Sequence, residues 1–304
     1  MNKEIKYSQS VNIYASKETV WNKLLSKEFY ELSWDATLTS TWQPGSPIQF
    51  KGVWEGIEYT DKGLVQEIEE NKFLQFTYWS SFWKVEDLPE EYCNISFRIM
   101  EIDLYSCCLT LTQVGFRDKV HFEETVELWK HSNKILKHLS EKQELLTLND
   151  KIFKEIESVI AKIPSVNYNI ESTISWTAAQ IVEHILMANS GLKGFLTEAL
   201  FTSEVPYDLN VQRIRDLMLD MGVKYQSPEF LIPAVNQYDA IEHCAKLLNL
   251  KGEINESIST MDFEERCGNT EMIPFGYMSV FEWLNFCLFH IQRHVLQLKQ
   301  LKGS

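Results

Sequence analysis

The chain has 304 residues, twice the usual ~150-residue domain, with 44% hydrophobic and 24% charged side chains. Two folded domains are therefore expected, and disorder is excluded as a description of the whole. Net charge is −14 and evenly shared: residues 1–146 hold 23 acids and 16 bases, residues 147–304 hold 20 and 13, so each half carries −7. No basic groove for a phosphate backbone hides inside that average, so nucleic acid is not an expected partner. No run approaches the ~18–20 apolar residues of a membrane span. The opening MNKEIKYSQSVNIYASKE lacks the apolar stretch of a secretory signal, which predicts a cytoplasmic chain with reduced thiols. The six cysteines form no CxxC pair and read mostly as small buried hydrophobes.

In chain order, residues of about 5–14 predict a first strand, and KETVWNKLLS a helix with Val20, Trp21, Leu24 and Leu25 at helical spacing. Short aromatic or β-branched runs follow: IQFKGVW, IEYTDKGLVQEI, FLQFTYWSSFW, CNISFRIMEI and YSCCLTLTQVGF. Pro44-Gly45, Gly56, Asp61-Lys62-Gly63 and Glu70-Asn71 punctuate them as turns, which predicts an antiparallel meander. From about His121 to Glu144 the pattern becomes helical, with Val126, Trp129, Ile135, Leu136 and Leu139 at three- and four-residue steps.

Several pieces carry a resemblance: ASKETVWNKLL, TWQPGSPIQFKG, GLVQEIEENKFLQFTYW, and LTLTQVGF followed by a long helix containing a tryptophan. Their order over residues 5–144 resembles the START-like (Bet v 1-like) helix-grip superfamily, nearest the branch of homologues of the heat-shock-protein-90 ATPase activator. The resemblance implies a curved sheet wrapped around the last helix, enclosing an apolar cavity. Seven of the nine tryptophans lie in this half, most of them expected in the core. Trp54, Tyr59, Phe76, Tyr78 and Trp129 are the candidate residues lining the cavity around an apolar small molecule. Glu55 and Glu58, three apart on a strand, would face opposite sides and make a poor acid/base pair.

After Asn149 the pattern is helical throughout, with strands absent. Helices are predicted over about 149–163, 176–202, 236–259 and 277–301, and the connection of 203–235 holds a short one in VQRIRDLMLDMG. Thr177-Ala178-Ala179-Gln180 and Ser279-Val280-Phe281-Glu282 are capping boxes, and the prolines fall between helices. Four long helices with one extended crossover predict a four-helix bundle. The expected architecture is thus an α+β helix-grip domain over 1–146 followed by an all-α bundle over 147–304, divided near 144–150.

His290 and His294 are four apart, so both project from one helical face about one turn apart, a spacing that lets two imidazoles bind one ion. His184, in WTAAQIVEHILMA, is placed to complete a three-nitrogen set. Three neutral imidazoles leave one coordination position open, the arrangement of catalytic rather than structural zinc. Nickel and zinc both suit imidazole, and the alternative is that these residues line a bundle without metal. The second half resembles the DinB/YfiT-like four-helix bundles across about 149–301, through the Trp-Thr start and histidine of SWTAAQIVEHI and through GYMSVFEWLNFCLFHIQRHVLQL. That resemblance implies a metal triad of His184, His290 and His294. Gln180 and Cys287, one turn before His184 and three residues before His290, are candidate neighbours of the site, each with an ordinary capping or packing role as the alternative. His243 is a weaker fourth ligand candidate, and Glu183 turns about 100° away from His184. His131 and His138 stand roughly 10 Å apart along one helix, too far for one ion; with His121 they are expected at the surface or a cavity rim.

These residues support a metal-dependent enzyme for small molecules. The DinB-like resemblance implies hydrolysis or transfer of a low-molecular-weight thiol such as bacillithiol, mycothiol or glutathione, with no clear general base beside the triad. The alternatives are a non-catalytic protein of small-molecule binding, sensing or stress response and, last, a co-chaperone suggested only by a family name. Pairing of two chains through exposed helical faces is also expected.

Overall fold

The computed structural model describes residues 2–170 and 176–301 and divides into two compact units, Met1–Glu144 and Leu145–Ser304. Ser175, which opens the SWTAAQIVEHI motif, lies outside the described residues. No described helix is long and apolar enough to cross a membrane.

The first unit opens with β1 (Asn2–Ile13), α1 (Lys17–Leu24) and α2 (Lys27–Trp34). A meander follows: β2 (Ala36–Ser40), β3 (Pro47–Trp54), β4 (Ile57–Glu69), β5 (Phe73–Tyr78), β6 (Cys93–Asp103) and β7 (Ser106–Phe116). The helix α3 (Lys119–Ile160) comes next. The seven strands form one antiparallel sheet in the order β1-β7-β6-β5-β4-β3-β2, which with the long helix is a helix-grip arrangement. Alternation decides the inner face: Ile48 and Phe50, Leu74 and Phe76, Ile95 and Phe97, and Leu109 and Leu111 are all buried in one core with Trp129 and Leu136 of α3. Glu144 near the junction of the units accepts from the backbone N and Oγ of Ser16 and from Thr19 Oγ1, fixing the start of α1.

Two elements here escaped the sequence pattern. In α2 the apolar residues Phe29, Tyr30, Leu32 and Trp34 mix helical and alternating spacing, and only Phe29, Tyr30 and Ser33 are buried. In β2 only the small Ala36 and Leu38 face the core, too weak a signal for a strand. The Asp61-Lys62-Gly63 turn is a correction, because β4 runs straight through it. Gly63 serves a close approach of strands instead: a Cβ there would stand 1.7 Å from the carbonyl oxygen of Thr77.

The helix α3 is also longer than expected. Leu145 to Asn149 contains neither proline nor glycine, so the two helices predicted on either side of 144–149 are one, and the division between units falls inside it. Beyond it come α4 (Ala178–Asn189), α5 (Leu192–Phe195), β8 (Leu200–Phe201), α6 (Val211–Leu219), α7 (Ala240–Thr260), β9 (Arg266–Cys267) and α8 (Val280–Gln300). The helix expected over 176–202 ends at Asn189, since Ser190 leaves helical geometry and Gly191 takes a positive φ of 75°. The second half is not free of strands, because β8 pairs with β9; two-residue strands are too short to show a period.

In this unit α4 packs on α7 and α8, and α6 lies along α8. Both expected capping boxes are present, Thr177 with Gln180 and Ser279 with Glu282. Glu282 does more than cap. It is fully buried and accepts from the backbone N of Ser279, the backbone N and side chain of Asn210, and Arg266. Arg266, 4% exposed, also donates to the carbonyls of Tyr277, Val205 and Pro206. One ion pair thereby ties β9 and the two loops β8–α6 and β9–α8 to the start of α8.

Candidate metal centre and aromatic cluster

Rigid starts position the histidines. The capping box at Thr177 sets the first turn of α4 and places His184 seven residues inside the helix; the one at Ser279 does the same for α8, whose His290 and His294 follow one turn apart. The structure brings these three together. His290 Nε2 lies 3.3 Å from His184 Nε2 and 3.0 Å from His294 Nε2, and the ligand atoms all fall within 4.8 Å of one another.

The opposite ring atoms are held. His184 Nδ1 is 2.8 Å from the carbonyl of Leu231, and His294 Nδ1 is 2.7 Å from Gln297 Oε1. A carbonyl only accepts, so the proton of neutral His184 sits on Nδ1 and its Nε2 presents a lone pair. Burial pushes all three imidazoles below their ordinary pKa, His290 to about 3 with help from the neighbouring His184, and His294 well down with help from His290. Neutral rings are the form that binds a metal. Lone pairs converging at this distance repel unless a cation or proton lies between them. Tetrahedral zinc with Zn–N bonds near 2.0–2.1 Å spaces its ligand nitrogens about 3.3 Å apart, close to the two separations at His290.

The other histidines and neighbours are engaged elsewhere. His243 accepts or donates at both nitrogens, to Tyr168 OH at 2.7 Å and Glu183 Oε2 at 3.1 Å, and does not reach the cluster. Gln180 accepts from the backbone N of Thr177, the capping half of its two readings. The thiol of Cys287 is fully buried, which pushes its pKa up to about 12, and it donates to Asn189 Oδ1 at 2.8 Å. Of the residues the sequence did not single out, Gln297 was within reach, three positions after His294; the carbonyl of Leu231 carried no side-chain signal at all.

In the first unit four of the five candidate lining residues share one ring cluster. Trp129 and Phe76 are fully buried and both contact Phe97, at 5.8 and 6.4 Å between centroids. Tyr78 lies 5.6 Å from Trp34, and the Tyr59 hydroxyl donates to the Trp34 carbonyl at 2.9 Å. Trp34 is the hub, touching Tyr30, Phe50, Tyr78 and Trp129. Trp54 does not join them: it is 58% exposed beside the Glu55-Gly56 turn that closes the β3–β4 hairpin. The carboxylates Glu55 and Glu58 are exposed there too.

The segment Ser81–Trp83 folds over the edge of this cluster. Trp83 lies 5.6 Å from Tyr78; Arg117 donates to the Trp83 carbonyl, and the ring of His121 stands 4.8 Å from Trp83. His121, expected at the surface or a cavity rim, is buried at the edge of the ring cluster, because Phe116 and Trp83 close on it. Its Nδ1 accepts from the backbone N and Nε of Arg117, a geometry only the neutral ring allows. Burial and the guanidinium pull its pKa down from 6.5 to about 4. In the unfolded chain His121 takes a proton near its ordinary pKa, but in the folded chain only near 4. Its contribution is therefore complete above pH 6.5 and lost as pH falls from 6.5 towards 4, on the order of 3 kcal/mol. Unfolding curves of wild type and His121→Gln across that window check this: the variant's stability should fall less steeply, and parallel curves would refute it. His131 is exposed on α3, as expected.

Comparison with known proteins bears on the first unit. Residues 14–141 match the family described as "Activator of Hsp90 ATPase homolog 1-like protein". Similar solved structures include one from Cytophaga hutchinsonii, 28% identical with a TM-score of 0.40, covering 45% of this chain and 94% of that one. The Aha1 dimer from Colwellia psychrerythraea is 18% identical with a TM-score of 0.36, covering 44% and 93%. An HSP90 activator from Plasmodium falciparum is 14% identical with a TM-score of 0.34, covering 41% and 87%. No curated protein matches the chain. The stretch 14–141, which holds six of the seven strands and most of the first-unit part of α3, is thus similar to the activator of Hsp90 ATPase homologue 1 family.

Proposed function

We propose that the second unit is a DinB-like four-helix bundle holding one divalent ion at His184, His290 and His294. On this reading the chain is a metal-dependent hydrolase or thiol transferase whose first unit captures an apolar substrate at the Trp34 ring cluster. What supports it is that the Nε2 atoms of His184 and His294 lie 3.3 and 3.0 Å from that of His290, with the rings of His184 and His294 oriented from behind by Leu231 and Gln297. An ion on three neutral imidazoles keeps one position open and lowers the pKa of a water or thiol bound there. The chain's own contribution is orientation. Arg293 donates to the carbonyls of Met218, Asp220 and Val223 and so fastens the segment after α6 beside the two histidines of α8.

Elemental analysis of untagged, chelator-free protein incubated with nickel or zinc tests the reading, with His184→Ala alongside. About one ion per chain, lost in the variant, is the expected result. The loaded protein is then assayed for conjugation of low-molecular-weight thiols and for hydrolysis. Failure of wild type to take up either ion overturns the metal reading.

The family match favours a second reading, in which the first unit binds a ligand or acts as a co-chaperone without catalysis. Stimulation of a cognate Hsp90 ATPase by the full chain, undiminished by His290→Ala, would support it.

A further inference from the structure

We infer that Trp176 and Phe286 wall the open side of the three-histidine cluster and select a substrate that carries an aromatic group next to its metal-binding atoms. The inference rests on the metal reading above and names the substrate class of the same site.

Exposure gives the direction of approach. His184 and His294 are 2% and 6% exposed, whereas His290 is only half-buried, so solvent reaches the cluster on the His290 side. Two half-buried rings adjoin the cluster. Phe286, one turn before His290 on α8, lies parallel to it, with 4° between planes and 6.1 Å between centroids. Trp176 lies 4.9 Å from His184 at 49°. Trp176, His184, His290 and Phe286 thus form an unbroken chain of ring contacts, with the indole and the phenyl ring at its ends. Trp176 directly precedes the N-cap Thr177, whose capping box fixes the path of the chain, so this wall is set before any ligand arrives.

Polar groups near the cluster are committed to the protein. Gln180 serves the cap, Gln297 holds His294, and the thiol of Cys287 faces Asn189. The guanidinium of Arg293 is spent on three carbonyls and lies over the Tyr225 ring. None of these four is directed at an incoming carboxylate or phosphate. What the site offers beyond the imidazoles is π-surface, which favours offset or edge contact with another aromatic ring.

Two hydroxamates with the same chelating head separate this from metal binding itself. The full chain is loaded with cobalt(II) and titrated with acetohydroxamate and with benzohydroxamate, following the visible absorption of the ion. Ring contacts of ordinary strength predict a preference for benzohydroxamate about tenfold larger in wild type than in Trp176→Leu or Phe286→Leu, each variant retaining about one cobalt per chain. The leucine variants keep an apolar side chain, and Trp176→Ala and Phe286→Ala repeat the test with the wall removed. The same preference in wild type and all four variants overturns the inference while leaving the metal site standing. Absence of cobalt uptake by wild type overturns the metal reading beneath it.

Discussion

His290→Ala is expected to lower affinity for nickel or zinc by more than about a hundredfold, since loss of a mere supporting partner already costs 10–100-fold. The same substitution at His243 should leave affinity unchanged. Both are histidines of the same helical unit, and both are shielded from solvent to a large degree. What separates them is where their nitrogens point. His290 Nε2 is the middle of the three, within 3.0 and 3.3 Å of its neighbours. His243 is closed at both ends by Tyr168 and Glu183. Glu183 adjoins His184 in sequence but leaves α4 about 100° around the helix, so the polar chain it anchors lies on another face. Equilibrium dialysis with elemental analysis measures the affinities, and circular dichroism confirms that both variants are folded. Equal uptake by wild type and His290→Ala would sink the assignment, as would loss of uptake in His243→Ala.

Glu282→Ala is expected to destabilise the second unit by about 3–5 kcal/mol, the range for removing one partner of a buried pair. The carboxylate is wholly inaccessible, and four donors converge on it from Ser279, Asn210 and Arg266. Deleting it leaves the Arg266 guanidinium buried without its countercharge and opens the cap of α8, the helix that carries two of the three clustered histidines. A double replacement, Arg266→Met with Glu282→Leu, should be less damaging than Glu282→Ala alone, because no uncompensated charge remains. Chemical unfolding followed by circular dichroism measures each. A loss below about 1 kcal/mol for Glu282→Ala would place this pair in the class of exposed ion pairs and contradict its burial.

Much of the fold is written in local patterns. The alternation of β3, β5, β6 and β7 and the three- and four-residue steps of α3 follow from one face of each element being buried, which a short window of sequence records. The capping boxes are legible for the same reason, since every group in them lies within four residues. The spacing of His290 and His294 is likewise local. Where burial falls on small or mixed side chains, as in β2 and α2, the pattern is weak and the elements were missed.

Local patterns therefore suffice for the kind of chain this is: an acidic, two-part protein, strands with a long helix first and mostly helices after, with three histidines available on two capped helices. The tertiary structure decided which side chains meet. Trp34 became the hub of the ring cluster by touching Trp129, 95 positions away, while Trp54 ended on an exposed hairpin. Gly63 turned out to serve an approach of β4 to Thr77 rather than a turn. His184 reached His290 across 106 positions, with a backbone carbonyl at Leu231 orienting it from behind. A periodic pattern reports how far one residue is buried; it holds no information on which distant residue does the burying, and the chemistry of a site depends on that partner.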